Sequence, residues 1–121
     1  GRLSVMAQYY CQVEQLFIVP PEAFVPRPKV DSAIVRLTPH ETLPHTAEDP
    51  ALLFELVKLA FGQRRKTLRN NFKGRVTADT LEDLGIDPIR RPQTLTVAEY
   101  VAIANRVTAD EQANGERGSQ T

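Results

Sequence analysis

The sequence has little of several features that would define a class of protein. It contains one cysteine and no tryptophan among its 121 residues, and its formal net charge is zero. A single cysteine excludes an internal disulfide and fits a reducing cytoplasm, which is the expected location. No apolar run approaches the roughly 20 residues that a membrane span needs, and no signal peptide is visible.

The chain also lacks the clustered ligands of a metal site. His40 and His45 lie in a polar connection with no cysteine at ligand spacing, and Cys11 lies in a predicted strand. We therefore expect no metal site. The hydrophobic content of 41% and the charged content of 25% are ordinary for a folded domain. Because the chain starts at Gly1 in what already reads as structured sequence, we expect a piece of a longer protein.

Positive charge is concentrated in one segment. Six cationic residues and no acidic one lie between Phe61 and Arg75, namely Arg64, Arg65, Lys66, Arg69, Lys73 and Arg75. A helix beginning near Gln63 would place Arg65, Arg69 and Lys73 in one stripe, with Lys66 beside it. Leu68 and Phe72 would then share an adjacent apolar face. Like charges at this spacing destabilise a helix unless an anion lies against them, and a phosphate backbone is the obvious candidate. The alternative is a solvated helix face.

Periodicity predicts a strand pair at the start of the chain. We expect a helix over residues 3–10 and a strand over residues 11–19 that becomes more buried along its length. Pro20-Pro21 ends this strand, and a proline-containing loop leads to a second strand over residues 30–37. The two strands are close in sequence, which predicts antiparallel pairing. Such a pair is marginal alone in water and must pack against something.

Four short helices are predicted after the strands. Asp49-Pro50 supplies an N-cap and a first-turn proline for a core helix, and the basic segment follows it. A helix over residues 78–84 ends at Gly85. Thr96-Val-Ala-Glu99 is a capping box that opens the last helix. The inward residues of that helix are predicted to be Val97, Tyr100, Val101, Ala104 and Val107.

Three segments resemble the bacterial small-subunit (16S) rRNA adenine dimethyltransferases, the kasugamycin-sensitivity family. They are Gly-Arg-Leu-Ser-Val at residues 1–5, Phe-Val-Pro-Arg-Pro-Lys-Val-Asp-Ser-Ala at residues 24–33 and Phe-Gly-Gln-Arg-Arg-Lys-Thr-Leu-Arg-Asn at residues 61–70. The resemblance reaches to about Val107. It implies an α+β fragment in three parts: the last helix and antiparallel strand pair of a doubly wound methyltransferase sheet (1–40), a small all-helical rRNA-binding domain (41–109), and a disordered tail (110–121).

The resemblance also implies an activity for the parent protein. Members of this family transfer methyl groups from S-adenosylmethionine to N6 of two adjacent adenosines in 16S rRNA during small-subunit biogenesis. The family's glycine-rich cofactor loop and its Asn-Leu-Pro-Tyr motif are absent from this sequence. We therefore expect no catalytic residue, no bound S-adenosylmethionine and no methyl transfer by this chain alone.

Phe24 is open to two interpretations from the residues. A base that is to be methylated must leave its stack, and a proline-braced loop could present Phe24 to it; the alternative is a core aromatic at a strand end. The resemblance implies that Phe24 is one wall of the adenine pocket and that Pro26 and Pro28 shape it. Arg27 and Lys29 flank this loop and are candidates for phosphate contacts.

Other residues and other functions stay open. Arg90 and Arg91 could extend the basic surface, although Asp87 is close enough to pair with one of them. Asn70 and Asn71 could reach RNA 2′-hydroxyls, but capping of a helix end is the better interpretation. The chain could instead be a stand-alone helical nucleic-acid-binding adaptor, or a domain that binds an acidic protein. An exposed sheet edge could also allow dimerisation.

Overall fold

The chain divides into two compact units. The computed structural model describes residues 1–23, 26 and 32–119. One unit is Ala7–Pro44, and the other combines Gly1–Met6 with the chain from His45 onward. The division expected after residue 40 therefore lies after Pro44. The first six residues group with the helices instead of with the strands.

The strand pair has the predicted antiparallel arrangement. The first elements are α1 (Arg2–Tyr10), β1 (Cys11–Val19) and β2 (Ser32–Pro39). The ladder runs from Cys11 opposite Pro39 to Val19 opposite Ser32, with a bulge between Gln15 and Phe17. An additional hydrogen bond from the His40 N–H to the Tyr10 carbonyl, at 3.0 Å, closes the end of the ladder. The second strand ends two residues later than predicted, and the first two residues of its predicted range, 30 and 31, lie outside the described residues.

The expected burial of β1 is not observed. Phe17 and Ile18 are 57% and 56% exposed, and Leu16 is 40% exposed. Among the described residues β1 has one hydrogen-bonded neighbour, β2. A strand that is paired on one side and uncovered on its faces cannot bury its side chains. The apolar residues of β1 favour burial, but the described residues do not bury them.

The helical unit is built around α2 (Pro50–Ala60) and α5 (Val97–Ser119), which pack against each other. Asp49 is the N-cap of α2, and its Oδ1 accepts from the Leu52 N–H at 3.2 Å, as predicted. The buried face of α2 consists of Leu52, Leu53, Leu56, Val57 and Ala60. On α5 the side chain of Asn105 bonds the connection before α2, accepting from the Glu48 N–H and donating to the Thr46 carbonyl.

The capping box that opens α5 is confirmed. The Glu99 N–H donates to Thr96 Oγ1 at 3.1 Å, and the Thr96 N–H donates to Glu99 Oε1 at 2.9 Å. The buried residues that follow are Tyr100, Val101, Ile103, Ala104 and Val107. Of the predicted inward residues, Val97 is half-buried. None of the described helices combines the length and the apolar character needed to cross a membrane.

Helix α5 extends past residue 109, where the helical domain was expected to end. Helix α5 continues through Ser119. Two ion pairs hold the residues just past this point: Arg106 contacts Asp110 at 3.2 Å one turn along the helix, and Glu111 accepts from Arg75 at 2.8 Å. The polar composition does not reveal the second pair, because Arg75 lies far from Glu111 in sequence.

Two short helices connect α2 to α5. They are α3 (Leu68–Asn71) and α4 (Ala78–Asp83). Each begins at a threonine whose hydroxyl accepts a backbone N–H: Thr67 from Asn70 at 3.4 Å, and Thr77 from Thr80 at 3.1 Å. The predicted stop after α4 is confirmed, since Gly85 has a φ of 76°. A residue with a Cβ atom is strained in that left-handed conformation, whereas glycine is not.

Candidate nucleic-acid interface

The basic segment is not one continuous helix. After α2, residues 61–66 form consecutive turns, and helical structure resumes only at Leu68. The Gly62 N–H donates to the Leu59 carbonyl, and the Lys66 N–H donates to the Gln63 carbonyl, both at 3.0 Å. Thr67 is extended and caps α3, and such a cap competes with helix continuation. The prediction of a helix from Gln63 is therefore wrong. We call residues 61–66 the basic loop.

The predicted charge stripe is consequently divided. Arg64, Arg65 and Lys66 lie on the basic loop, whereas Arg69 lies on α3 and Lys73 in the turn after it. All five side chains are exposed. The apolar part of the prediction is confirmed, because Leu68 and Phe72 are both fully buried. Burial of these two residues leaves Arg69 of α3 and Lys73 of the following turn exposed.

Asn71 holds the basic loop against the end of α2. Its side-chain Nδ2 donates to the carbonyl of Ala60 and to that of Gln63, both at 2.8 Å, with the Lys66 carbonyl at 3.5 Å. The Ala60 carbonyl belongs to the last turn of α2, where helical carbonyls lack a partner within the helix. Asn71 thus caps the end of a helix, which is the role that the sequence favoured. The helix is α2, and the same side-chain amide also holds the basic loop.

A turn at residues 87–90 meets the first turn of α3. The Leu68 N–H donates to the Arg90 carbonyl at 2.8 Å, and the Arg69 N–H donates to the Pro88 carbonyl at 2.9 Å. These are N–H groups at a helix start, which have no acceptor within their own helix. The 87–90 turn therefore satisfies them and fixes where α3 begins.

Arg75 differs from the other cations of the segment. Its guanidinium contacts Glu111 at 2.8 Å and Glu55 at 3.7 Å. The segment lacks acidic residues in sequence, but the fold brings two carboxylates to Arg75. Its charge is therefore balanced within the protein.

The other five cations of the segment have no such partner in the part of the chain that the structure describes. Within the described residues, no ion pair or side-chain hydrogen bond involves Arg64, Arg65, Lys66, Arg69 or Lys73. Uncompensated positive charge on one continuous segment produces a local positive potential although the net charge is zero. This set of five is the surface that we call the basic surface.

Arg90 does not contribute to the basic surface as a free charge. Its guanidinium contacts Glu99 at 2.5 and 3.1 Å and also donates to the Thr94 carbonyl. The hydrogen bond from Arg90 is the main reason that the pKa of Glu99 is lowered from its ordinary value of 4.5. Asp87 uses its side chain differently, accepting from the Ile89 N–H at 3.1 Å. Arg91 is exposed.

The predicted adenine pocket lies mostly outside the described residues. Phe24, Arg27, Pro28 and Lys29 are not among them, and Pro26 is exposed in a bend.

As for metal ligands, no group of three or more histidine, cysteine, aspartate or glutamate residues is suitably placed in the described part of the chain.

The surroundings of two residues in this region were not predicted from the sequence. Asn71 was recognised as a capping residue, but its contact with the basic loop depends on the turn at residues 61–66. Ile89 is 68% exposed and lies beside Arg69 and Lys73. The sequence does not indicate this position, because one aliphatic residue in a turn forms no periodic pattern. The Asp87-Pro88 pair predicted the turn itself.

Known proteins are similar to this chain over both the strand pair and the helices that follow it. The family model described as "Ribosomal RNA adenine dimethylase" matches residues 1–109. The chain belongs to this family. The resemblance stated from the sequence is confirmed, and a stand-alone adaptor is not favoured because the match includes the strand pair as well as the helices.

Curated members of the rRNA adenine dimethylase family are similar over most of this chain. Three of them carry the name "Ribosomal RNA small subunit methyltransferase A". The protein of Chromohalobacter salexigens is 64% identical over 107 residues, that of a Marinomonas species 59% over 111, and that of Vibrio cholerae 57% over 109. These matches cover 88%, 92% and 90% of this chain but only 38%, 42% and 40% of the relatives. The chain thus spans about two fifths of their length.

Solved structures show the same fold at lower identity. A dimethyladenosine transferase from Plasmodium falciparum superposes with a TM-score of 0.63 at 23% identity, covering 90% of this chain and 49% of that one. The 23S rRNA methyltransferase ErmE superposes with a TM-score of 0.62 at 21% identity, covering 89% and 46%. The α+β arrangement of this chain is therefore that of rRNA methyltransferases.

Proposed function

We propose that this chain is the rRNA-binding portion of a small-subunit rRNA adenine dimethyltransferase. The observation that carries the proposal is the basic surface, in which five exposed cations have no acidic partner in the described chain. Phosphate contacts of this kind position RNA without reading its sequence. Arg75 was also predicted to bind RNA, and its two carboxylate contacts favour a structural role for it.

The family membership supports a parent enzyme that methylates 16S rRNA. In that enzyme S-adenosylmethionine would supply the methyl group, and the acceptor would be the N6 amino groups of two adjacent adenosines. Phe24, with Pro26 and Pro28, would hold the flipped base, and Arg27 and Lys29 would contact phosphates beside it. Dimerisation through the edge of the strand pair also stays a prediction.

The described residues do not fit a cofactor site. Cofactors of this class bind a doubly wound sheet at the carboxyl ends of strands, where a glycine-rich turn lets the backbone approach the ligand. Here β1 is followed by Pro20 and β2 by His40, and no described glycine follows a strand. We therefore infer that this chain binds RNA and supplies no residue for the methyl-transfer step.

Salt dependence tests the RNA-binding proposal. Fluorescence anisotropy with a labelled 16S rRNA hairpin should give log K falling against log salt with a slope of about −3 to −4, if about four cations contact phosphates. Replacing Arg64, Arg65 and Lys66 with glutamine should make the slope shallower by about 1 for each phosphate that is no longer bound.

The control removes three charges elsewhere. Arg2, Arg36 and Lys58 are exposed and lie outside the basic surface, so glutamine at these positions changes the net charge equally. We expect the control variant to keep the slope of the unaltered chain. A flat salt response of the unaltered chain, or equal slopes for the two variants, would contradict the proposal.

A cofactor titration tests the assignment of this chain. Isothermal calorimetry with S-adenosylmethionine should show no binding, because no described strand end offers a glycine-rich turn. A full-length relative, run in parallel, provides the positive control. Micromolar binding by this chain would show that the cofactor pocket lies within it and would overturn the assignment.

A further inference from the structure

Arg69 and Lys73 line a recess that also includes neutral polar and apolar side chains. The recess has a volume of about 470 Å³ and is lined by Thr67, Arg69, Asn70, Lys73 and Ile89. This size lies in the range of small-molecule binding sites. Arg69 and Lys73 also border an adjoining recess of about 440 Å³. We call the first one the Ile89 recess.

Ile89 is held in an exposed position by a hydrogen-bonded turn. Its N–H donates to the Asp87 side chain at 3.1 Å, and the neighbouring Pro88 carbonyl accepts from the Arg69 N–H at 2.9 Å. Pro88 and Ile86 are buried. The side chain of Ile89 nevertheless remains 68% exposed, more than Phe54 or Leu59, the other exposed large apolar residues of the described chain from His45 onward. A fixed apolar surface reduces the ordering cost of binding.

Asn70 adds a neutral polar group to the recess. Its backbone N–H donates to Thr67 Oγ1, but its side-chain amide has no partner among the described residues. An amide of this kind can both donate and accept a hydrogen bond. The recess therefore combines two cations, one free amide and one aliphatic surface.

We propose that the Ile89 recess holds a single unpaired nucleotide of the bound RNA. Arg69 and Lys73 would contact its phosphate, Asn70 its base edge, and Ile89 the face of its base or sugar. Paired bases are stacked and cannot offer a face to Ile89, whereas single-stranded loops can. This inference rests on the proposed function, because its ligand is part of the same RNA.

The test compares two RNAs with equal numbers of phosphates. One is a single-stranded oligonucleotide and the other a fully paired duplex, and the readout is affinity by fluorescence anisotropy. Ile89→Ala should weaken single-strand binding about three- to tenfold by removing apolar contact area, and should change duplex binding by less than about twofold. Arg69→Gln should weaken binding of both RNAs, because each presents phosphates.

Phe54→Ala is the matched control, since Phe54 is an apolar residue on α2 with 45% exposure that does not line the recess. It should leave both affinities unchanged. If Ile89→Ala leaves single-strand binding unchanged, or weakens both RNAs equally, the inference is overturned while RNA binding itself stands. If the unaltered chain binds neither RNA in a salt-dependent manner, the proposed function fails and the inference fails with it.

Discussion

Asn71→Asp is expected to lower the free energy of unfolding by about 2–3 kcal/mol. The substitution keeps the shape of the side chain but replaces its N–H donors with a carboxylate oxygen. Two carbonyl oxygens now bonded at 2.8 Å, those of Ala60 and Gln63, would lose their donor and face a negative charge. Chemical denaturation followed by circular dichroism measures the change.

Asn70→Asp is the matched control for this prediction. The two residues are adjacent in α3 and the charge change is the same, but the Asn70 side chain is exposed and has no partner among the described residues. We expect Asn70→Asp to change stability by less than about 0.5 kcal/mol. Equal losses for the two variants would show that charge near α3, and not the Asn71 amide, determines stability. Hydrogen exchange should additionally show faster opening of the basic loop in Asn71→Asp alone.

Glu99→Ala is expected to cost about 2–4 kcal/mol because Glu99 has two functions. Its carboxylate accepts from Arg90 at 2.5 Å and, in the capping box, from the Thr96 N–H at 2.9 Å. Truncation would leave a partly buried guanidinium without its carboxylate partner and would remove the reciprocal cap of α5. Glu99→Gln separates the two functions, because glutamine keeps the capping geometry but not the charge. Denaturation should show an intermediate loss of about 1 kcal/mol for this variant.

The charge of Glu99 also predicts a pH dependence. Its pKa in the folded protein is lowered from the ordinary value of 4.5, chiefly by the hydrogen bond from Arg90. A lowered pKa stabilises the fold above the unfolded value, and this contribution is lost as the pH falls below about 4.5 through the folded pKa. Glu99→Gln should therefore make stability less dependent on pH in this range. Glu82→Gln, at an exposed site on α4, should keep the dependence; equal pH profiles for the two variants would contradict the prediction.

The elements that short-range signals specify were predicted well. The Asp49 cap, the stop at Gly85 and the Thr96–Glu99 box were read from the residues and are present in the structure. Each depends on contacts between groups a few residues apart, so neighbouring residues are sufficient to specify it. The buried pair Leu68 and Phe72 was predicted from a spacing of four residues, which is also a local signal.

The conformation of the basic segment was predicted wrongly because two local signals compete there. Charge spacing favoured a helix from Gln63, whereas Thr67 can cap a helix that begins after it. The choice between them depends on distant partners: Asn71 bonds the loop to α2, and the Pro88 and Arg90 carbonyls accept the first N–H groups of α3. None of these contacts leaves a periodic pattern in the sequence.

The sequence by itself determined the family, the order of strands and helices, and the concentration of cations between residues 61 and 75. Only the tertiary structure decided which of those cations are uncompensated. Arg75 forms ion pairs with Glu55 and Glu111, and Arg90 forms one with Glu99. The five residues of the basic surface form no ion pair with a described side chain. The physical reason is that the potential at a site depends on distances in space, and the fold brings together charges that are far apart along the chain.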